Sequence, residues 1–232
     1  MSYGTISFTG LNDGRVFNRP DYIQWKDGIH VKEVTKNLIG TLAQQIALIF
    51  GYDTITVKSQ WFAVAWDDGL TVTPVNAAMY YVQGRLVFNT RFIAHAGNTC
   101  GIDAVTGILA HEVGHRLVYL TILSKGEQLS AHENELCADF IAGLVLRLSR
   151  RNVEHMKRCY ATICRQGSSS HPDGQVRIGS LQHGYTWVDR DPRGVFMRVS
   201  EFVGSVQPQD IFKPEVVREM LMNEVVLPMR QR

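Results

Sequence analysis

Two histidines and a glutamate stand together in an apolar stretch of the chain, in the run L-A-H-E-V-G-H at residues 109–115. Histidines four residues apart lie one helical turn apart on the same face, so His111 and His115 can reach one ion. The apolar neighbours at helical spacing are Val105, Ile108, Leu109, Leu117, Val118 and Leu120. A helix that is apolar nearly all round is buried, and burying imidazoles and a carboxylate is costly unless they are paired or bind a metal. The run therefore predicts a buried metal-binding helix, with two histidines on a solvated helix face as the alternative.

A hydrolytic zinc site uses three protein ligands and keeps one position open, so a third ligand is needed. The run H-E-N-E-L-C-A-D at residues 132–139 predicts a second helix, on which Glu135 and Asp139 share a face. Glu135 is the favoured ligand, with His132 and Glu133 as alternatives. Asp139 is expected to accept a hydrogen bond from the other ring nitrogen of a ligand histidine. The competing interpretation is that these carboxylates only decorate a helix N-terminus, where the helix dipole favours them.

The order of predicted elements indicates the fold class. β-type runs at 78–82 and 85–89 around Gln83-Gly84 predict a hairpin. Apolar residues spaced three and four positions apart from Val31 to Phe50 predict a helix. Further helices are predicted at about 103–123, 130–150 and 152–164. Strands followed by helices favour an α+β fold, with a small mixed or antiparallel sheet packed on a mainly helical body that carries the H-E-x-x-H helix.

Length and composition limit the organisation and the function classes. A chain of 232 residues, 45% hydrophobic and 20% charged with a net charge of +2, is typical of a globular protein and not of one that grips nucleic acid. We expect one domain over 1–232, with an irregular N-terminal arm at 1–30, a catalytic core at 31–185 and a helical extension at 186–232. The amphipathic helix of that extension, 214–227, is left open to dock on the domain or on a partner.

Location is predicted from what the chain does not contain. No apolar run reaches the roughly 18 residues of a membrane-spanning helix, and the N-terminus has no secretory signal pattern. The chain has 4 cysteines, none in a C-x-x-C pair, so reduced thiols are favoured. We expect a cytoplasmic protein without a transmembrane segment and without a nucleic-acid partner.

These motifs resemble the gluzincin branch of the zinc metallopeptidases. The H-E-x-x-H helix followed by E-x-x-A-D is similar to the M48 family, which includes the CAAX prenyl proteases and the bacterial membrane-quality-control protease HtpX. Asn76-Ala77 ahead of Gly84-Arg85 resembles the segment and edge strand before the family's catalytic helix, and His171-Pro172 with Arg177 resembles its H-P-x-x-x-x-R element. The resemblance covers about 74–181, roughly half of the chain.

The resemblance implies a zincin-like fold and the activity of a zinc endopeptidase. It implies Zn²⁺ held by His111, His115 and Glu135, with Glu112 as the general base. It also implies that His171, Arg177 and Asn76 contact the substrate or stabilise the transition state. The strand Arg85–Asn89, as a free sheet edge, would bind an extended peptide substrate.

The chain also departs from this family, which keeps alternatives open. The family's best-known members are embedded in membranes, and neither the first 70 residues nor the last 45 or so match a known pattern. The ImmA/IrrE-type regulators, which act on one dedicated target protein, also combine H-E-x-x-H with E-x-x-A. A non-hydrolytic module that binds a partner on the same scaffold is the remaining alternative. For His171, which precedes the turn signal Pro172-Asp173-Gly174, an ordinary loop position is the alternative to a functional role.

Overall fold

Helices make up most of the structure. The computed structural model describes residues 6–7, 24–27, 30–33, 42–43, 45–46, 49–50, 64–67, 77–82, 85–190 and 214–231. The helices that we label are α1 (Thr90–Cys100), α2 (Ile102–Thr121), α3 (Ala131–Leu148), α4 (Val153–Thr162), α5 (Gly174–Arg190), α6 (Pro214–Leu221) and α7 (Leu227–Arg230). A 3₁₀ turn, Leu123–Lys125, follows α2, and a π-helical segment, Met222–Val226, joins α6 to α7.

Helix α2 is the centre of the core, as its apolar pattern predicts. Every residue from Ala104 to Val118 is buried, and the helix contacts α1, α3, α4, α6 and a strand described below. A Cβ atom placed on Gly114 would lie 3.0 Å from the Cα atom of Ala138, so α2 and α3 approach each other closely. This close approach sets the two predicted ligand helices side by side.

Helix α3 starts at a strong N-terminal signal and then packs on α5. The hydroxyl of Ser130 accepts a hydrogen bond from the backbone N–H of Glu133, and the Glu133 carboxylate accepts one from the backbone N–H of Ser130. Further along, Gly143 and Gly184 bring the two backbones together. A Cβ on Gly143 would lie 1.9 Å from the carbonyl oxygen of Leu181, and a Cβ on Gly184 would lie 2.0 Å from that of Phe140. Only glycine fits at these two positions.

The strands are short and all precede Thr90. They are β1 (Ile6–Ser7), β2 (Gln24–Asp27), β3 (His30–Glu33), β4 (Val64–Asp67), β5 (Ala77–Tyr80) and β6 (Arg85–Asn89). Strands β2 and β3 pair antiparallel, and the other strands form a sheet in the order β1-β5-β6-β4. The predicted hairpin is confirmed, since β5 and β6 pair antiparallel from Ala77 opposite Phe88 to Tyr80 opposite Arg85.

The predicted free edge at Arg85–Asn89 is wrong. Strand β6 pairs with β5 on one side and runs parallel to β4 on the other, with Val64 opposite Leu86. Both sides of its backbone are therefore occupied, and a peptide substrate has no free edge there to pair with. Parallel pairing with a strand that ends 18 residues earlier in the chain is a long-range contact, which local sequence pattern does not reveal.

The predicted α+β fold class is also wrong. Helices dominate the described residues, and from Thr90 onward these residues contain no strand. The reason is that α2 and α3 are apolar on nearly every face, so they bury these faces mainly against other helices, and strand β5 covers only part of α2. The body that carries the H-E-x-x-H helix is a packed group of helices.

Some of the individual helices agree with their predictions and others do not. The three helices expected from residue 103 onward are confirmed within about two residues as α2, α3 and α4. The helix expected over 31–50 is wrong at its start, because His30–Glu33 is a strand, whereas residues 42–43, 45–46 and 49 are helical. Helix α1 was not predicted, since Gly97, Asn98 and Thr99 weaken its helical signal.

The C-terminal helices dock on the body of the chain. Their apolar face belongs to the same hydrophobic core as α2, through Val217, Met220, Leu221, Val225 and Val226. Arg218 bonds to Glu127 at 2.6 Å, and Arg230 bonds to Glu133 at 2.5 Å. Of the two options left open for the helix at 214–227, the structure therefore shows docking on the domain. The predicted boundaries of the N-terminal arm at residue 30 and of the catalytic core at residue 185 stay predictions.

The contact of α3 with α5 leads to a first prediction. Gly143→Ala places a methyl group inside the carbonyl of Leu181, so we expect the free energy of unfolding to fall by at least about 1–3 kcal/mol. Gly179→Ala, in α5 with open space around the added methyl group, is the matched control and should be neutral or stabilising by about 0.5–1 kcal/mol. Chemical denaturation followed by circular dichroism measures both, and equal stability of the two variants would contradict the packing described.

Candidate metal centre

His111, His115 and Glu135 meet at the contact of α2 and α3. One ligand atom from each lies within 4.8 Å of the others, and all three residues are buried. The two Nε2 atoms are 3.0 Å apart, and each lies 3.5 Å from an oxygen of Glu135. Ligand atoms at tetrahedral positions about 2.0–2.1 Å from a zinc ion are about 3.3–3.4 Å apart. The three side chains therefore have the separations of a tetrahedral ligand set.

The other ring nitrogen of each histidine has a dedicated acceptor. Nδ1 of His111 lies 2.7 Å from Oδ1 of Asp139, the arrangement that the sequence predicted. Nδ1 of His115 lies 3.0 Å from Oδ1 of Asn134, which sequence reasoning missed. Because these acceptors bind the Nδ1 protons, both Nε2 atoms face the cluster, and each can bind an ion when it is deprotonated. The signal that was available is chemical, since a histidine that binds a metal needs such an acceptor and Asn134 directly precedes the proposed ligand Glu135.

Arg177 reaches the cluster from α5 and is 1% exposed. Its Nε and Nη2 atoms each donate to Asp139 at 2.9 Å, and Nη2 lies 3.2 Å from Oε2 of Glu135. Burial alone would raise the pKa of Asp139, but Arg177 and His111 hold it well below its usual range. The structure thus places Arg177 as the buried counter-charge of both carboxylates, at the border of the ligand cluster.

His171 lies at the same border, in the loop between α4 and α5. Its Nε2 atom is 3.3 Å from Oε1 of Glu135, its Nδ1 atom is 2.8 Å from the hydroxyl of Ser170, and the residue is 6% exposed. This histidine is therefore buried at the edge of the cluster and does not face solvent, while its role stays a prediction.

Glu112 is adjacent in the chain to His111, and its carboxyl group is buried without a hydrogen bond of good geometry among the described residues. Burial and the nearby charge of Glu135 raise its pKa to about 8, against the opposing effects of His111, Arg177 and the backbone of Met79. A carboxyl group with a pKa near neutrality is suited to accept and return a proton.

The two histidines differ in protonation. Burial favours the neutral form of His111, but the charge and hydrogen bond of Asp139, with Glu135, raise its pKa to about 9. Burial and the positive charge of His111 lower the pKa of His115 to about 4. At neutral pH, in the metal-free cluster, His111 is therefore protonated on both ring nitrogens and positively charged, whereas His115 is neutral and keeps only its Nδ1 proton.

The residues fit a bound metal ion on the basis of the Glu135 carboxylate. Among the described residues, neither of its buried oxygens makes a hydrogen bond of good geometry, although Arg177 and His171 lie 3.2 Å and 3.3 Å away. A metal ion would satisfy these oxygens together with the two Nε2 atoms. Two imidazoles and one carboxylate suit zinc among the common ions.

The remaining predicted residues lie away from the cluster or outside the described part of the chain. His132 bonds to the carbonyl of Ser168 at 3.1 Å, and Glu133 caps α3 and binds Arg230. Neither alternative ligand therefore reaches the site. Asn76 lies outside the described residues, so its proposed role stays a prediction.

No protein-family model matches this chain, and no curated protein and no solved structure matches it either. The resemblance to gluzincin peptidases therefore rests on the sequence motifs alone.

We predict that Glu135 is a metal ligand whereas its neighbour Glu133 is not. Glu135→Gln should weaken zinc binding by more than about 100-fold, since residues that only orient ligands contribute about 10- to 100-fold. Glu133→Gln is the matched control on the same helix and should bind zinc as the unaltered protein does. Competition with a chelating dye measures both affinities, and equal weakening by the two substitutions would contradict the assignment.

The protonation of His111 predicts how metal affinity depends on pH. Because the pKa of His111 is raised to about 9, its proton must leave before Nε2 can bind an ion. Zinc affinity should therefore rise with pH, by about tenfold per unit from pH 6 towards 9 for one released proton. Calorimetry in two buffers of different ionisation enthalpy counts the released protons, and an affinity that is constant between pH 6 and 8 would contradict this account.

Proposed function

We propose that this chain is a zinc-dependent peptidase of the gluzincin type. The observation that carries the proposal is Glu112, a fully buried carboxyl group without a hydrogen bond of good geometry among the described residues, which stands next in the chain to His111 of a set of two histidines and a glutamate. A structural zinc site needs no such neighbour. The ordered sequence motifs from H-E-x-x-H to H-P-x-x-x-x-R support the same proposal.

The proposed reaction is hydrolysis of a peptide bond by water. A zinc ion at this site would supply Lewis acidity, which lowers the pKa of water and polarises a carbonyl group. Glu112 takes a proton from the attacking water as its oxygen bonds to the carbonyl carbon. The same carboxyl group then gives that proton to the leaving nitrogen as the carbon–nitrogen bond breaks. His171 is placed at the border of the cluster to donate a hydrogen bond to the negative carbonyl oxygen.

Residues that touch no substrate hold this arrangement in place. Asp139 and Asn134 fix the ring orientations of His111 and His115, and Arg177 balances the charges of Asp139 and Glu135. Preorganised groups of this kind need little rearrangement during the reaction, which is how buried sites lower a barrier.

A second candidate, a peptidase with one dedicated target of the ImmA/IrrE kind, is favoured by the burial of the site. His111, Glu112, His115 and Glu135 are each 0% exposed, so a peptide reaches them only when the residues that cover them move. A target protein whose docking moves these covering residues would be cleaved, whereas an unrelated protein would not.

We also propose a cytoplasmic location, which is supported by the four cysteines, all of them unpaired and buried.

Within the described part of the chain, none of the helices has both the length and the apolar character that a bilayer span requires.

We predict that Glu112→Gln abolishes hydrolysis and keeps the metal. The amide cannot take a proton from water, so cleavage should fall by at least about 10²- to 10⁴-fold, while about one zinc ion per chain remains by native mass spectrometry. Cells that produce the unaltered protein should show new protein N-termini that are missing with the variant. Glu154→Gln, at an exposed position in α4, is the control and should cleave normally.

The same experiment separates the candidates. New N-termini in a single protein, with no cleavage of casein, would favour the dedicated peptidase over a general one. Undiminished cleavage by Glu112→Gln would refute the assigned base. A zinc-loaded protein that produces no new N-terminus in any protein would refute both peptidase proposals and favour a non-hydrolytic binding module.

A further inference from the structure

Tyr160 is a buried tyrosine of α4 that neither the sequence motifs nor the proposed reaction uses. The residue is 0% exposed. Its hydroxyl donates a short hydrogen bond to Oδ1 of Asp139, and the guanidinium carbon of Arg177 lies 4.4 Å from the centre of its ring. Tyr160 therefore touches both residues that stand immediately behind the ligand His111.

The contacts of Asp139 show what the tyrosine hydroxyl adds. Oδ1 accepts from Nδ1 of His111, from Nη2 of Arg177 and from Tyr160, and Oδ2 accepts from Nε of Arg177. Arg177 makes two hydrogen bonds to the Asp139 carboxylate, one to each oxygen, but both come from one side chain on α5. Tyr160 adds a donor from a separate helix, and this donor fixes Oδ1, the oxygen that faces His111.

The ring of Tyr160 has a separate effect on the same group. A guanidinium over an aromatic face is attracted to it, most strongly where water is excluded. The ring thus helps to keep the buried charge of Arg177 against Asp139 and Glu135. A Phe substitution keeps this ring and removes only the hydroxyl, so it separates the two effects.

We propose that Tyr160 is a positioning residue of the metal centre, which acts through Asp139 to hold His111 in the orientation that binds the ion. The proposal rests on the proposed metal-dependent function and concerns this chain's own residues. Hydrogen-bond partners that orient metal ligands typically contribute about 10- to 100-fold in metal affinity. The hydroxyl of Tyr160 stands one bond further from the ion than Asp139, and we expect its loss to weaken zinc binding by about tenfold.

The test compares Tyr160→Phe with Tyr185→Phe, using zinc and cobalt(II) ions as probes. Tyr185 is the matched control, since its hydroxyl donates to the carbonyl of Arg151 at 3.5 Å and its ring packs on the same core. Tyr160→Phe should weaken zinc binding about tenfold and change the visible absorption bands of bound cobalt(II). Tyr185→Phe should do neither. Equal zinc affinity and an identical cobalt spectrum in Tyr160→Phe and the unaltered protein would overturn the proposal.

A double-substitution cycle distinguishes positioning from a general loss of stability. If the hydroxyl acts through the carboxylate, Tyr160→Phe should have much less effect on zinc affinity in an Asp139→Asn background. An undiminished effect there would overturn the proposal. Asp139→Asn by itself covers the case in which Tyr160→Phe does not fold, since unaltered zinc affinity in that variant would also overturn it. An unaltered protein that binds no zinc would instead overturn the proposed function.

Discussion

The pairing of buried Arg177 with two buried carboxylates is the interaction on which the rest of the structure depends. Removing a charged group from water costs several kcal/mol per ion unless close partners compensate for it. Here the guanidinium of Arg177 makes two hydrogen bonds to Asp139, contacts Glu135 and lies over the ring of Tyr160. Because these residues come from α3, α4 and α5, and His111 comes from α2, four helices meet at one charge-balanced point.

Core and candidate site are consequently the same region of the molecule. The helix that carries His111, Glu112 and His115 is also the most enclosed helix, and Gly114 on that helix sets its distance from α3. A substitution that disturbs the packing of α2 on α3 therefore disturbs the ligand geometry as well. The close contact at Gly143 and Gly184 extends this rigidity to α5, which holds Arg177.

The parts that could be predicted from sequence are those that depend on local periodicity. Histidines four residues apart on a helix face the same way whatever the rest of the fold does, and the same holds for Glu135 and Asp139. The helix expected at about 130–150 likewise corresponds to α3, at Ala131–Leu148. For this reason the meeting of the three proposed ligands followed from two short runs of sequence.

The parts that could not be predicted depend on contacts between distant segments. Tyr160 and Asn134 have no spacing relation to the histidines that they support, so only tertiary packing reveals them. The central position of β6 follows from its pairing with β4, a strand that no turn connects to it. The fold class was mistaken because short β-type runs suggested a supporting sheet, whereas α2 and α3 are enclosed by other helices.

The complete enclosure of the ligand cluster has a kinetic consequence. If the cluster binds an ion, that ion could not exchange by simple diffusion, because one of the buried side chains that hold it would first have to move away. Uptake and release would then be limited by how often the surrounding helices separate, a local opening event of the kind that hydrogen exchange detects. The residence time of the ion would thus report the rate at which the helices around the cluster open.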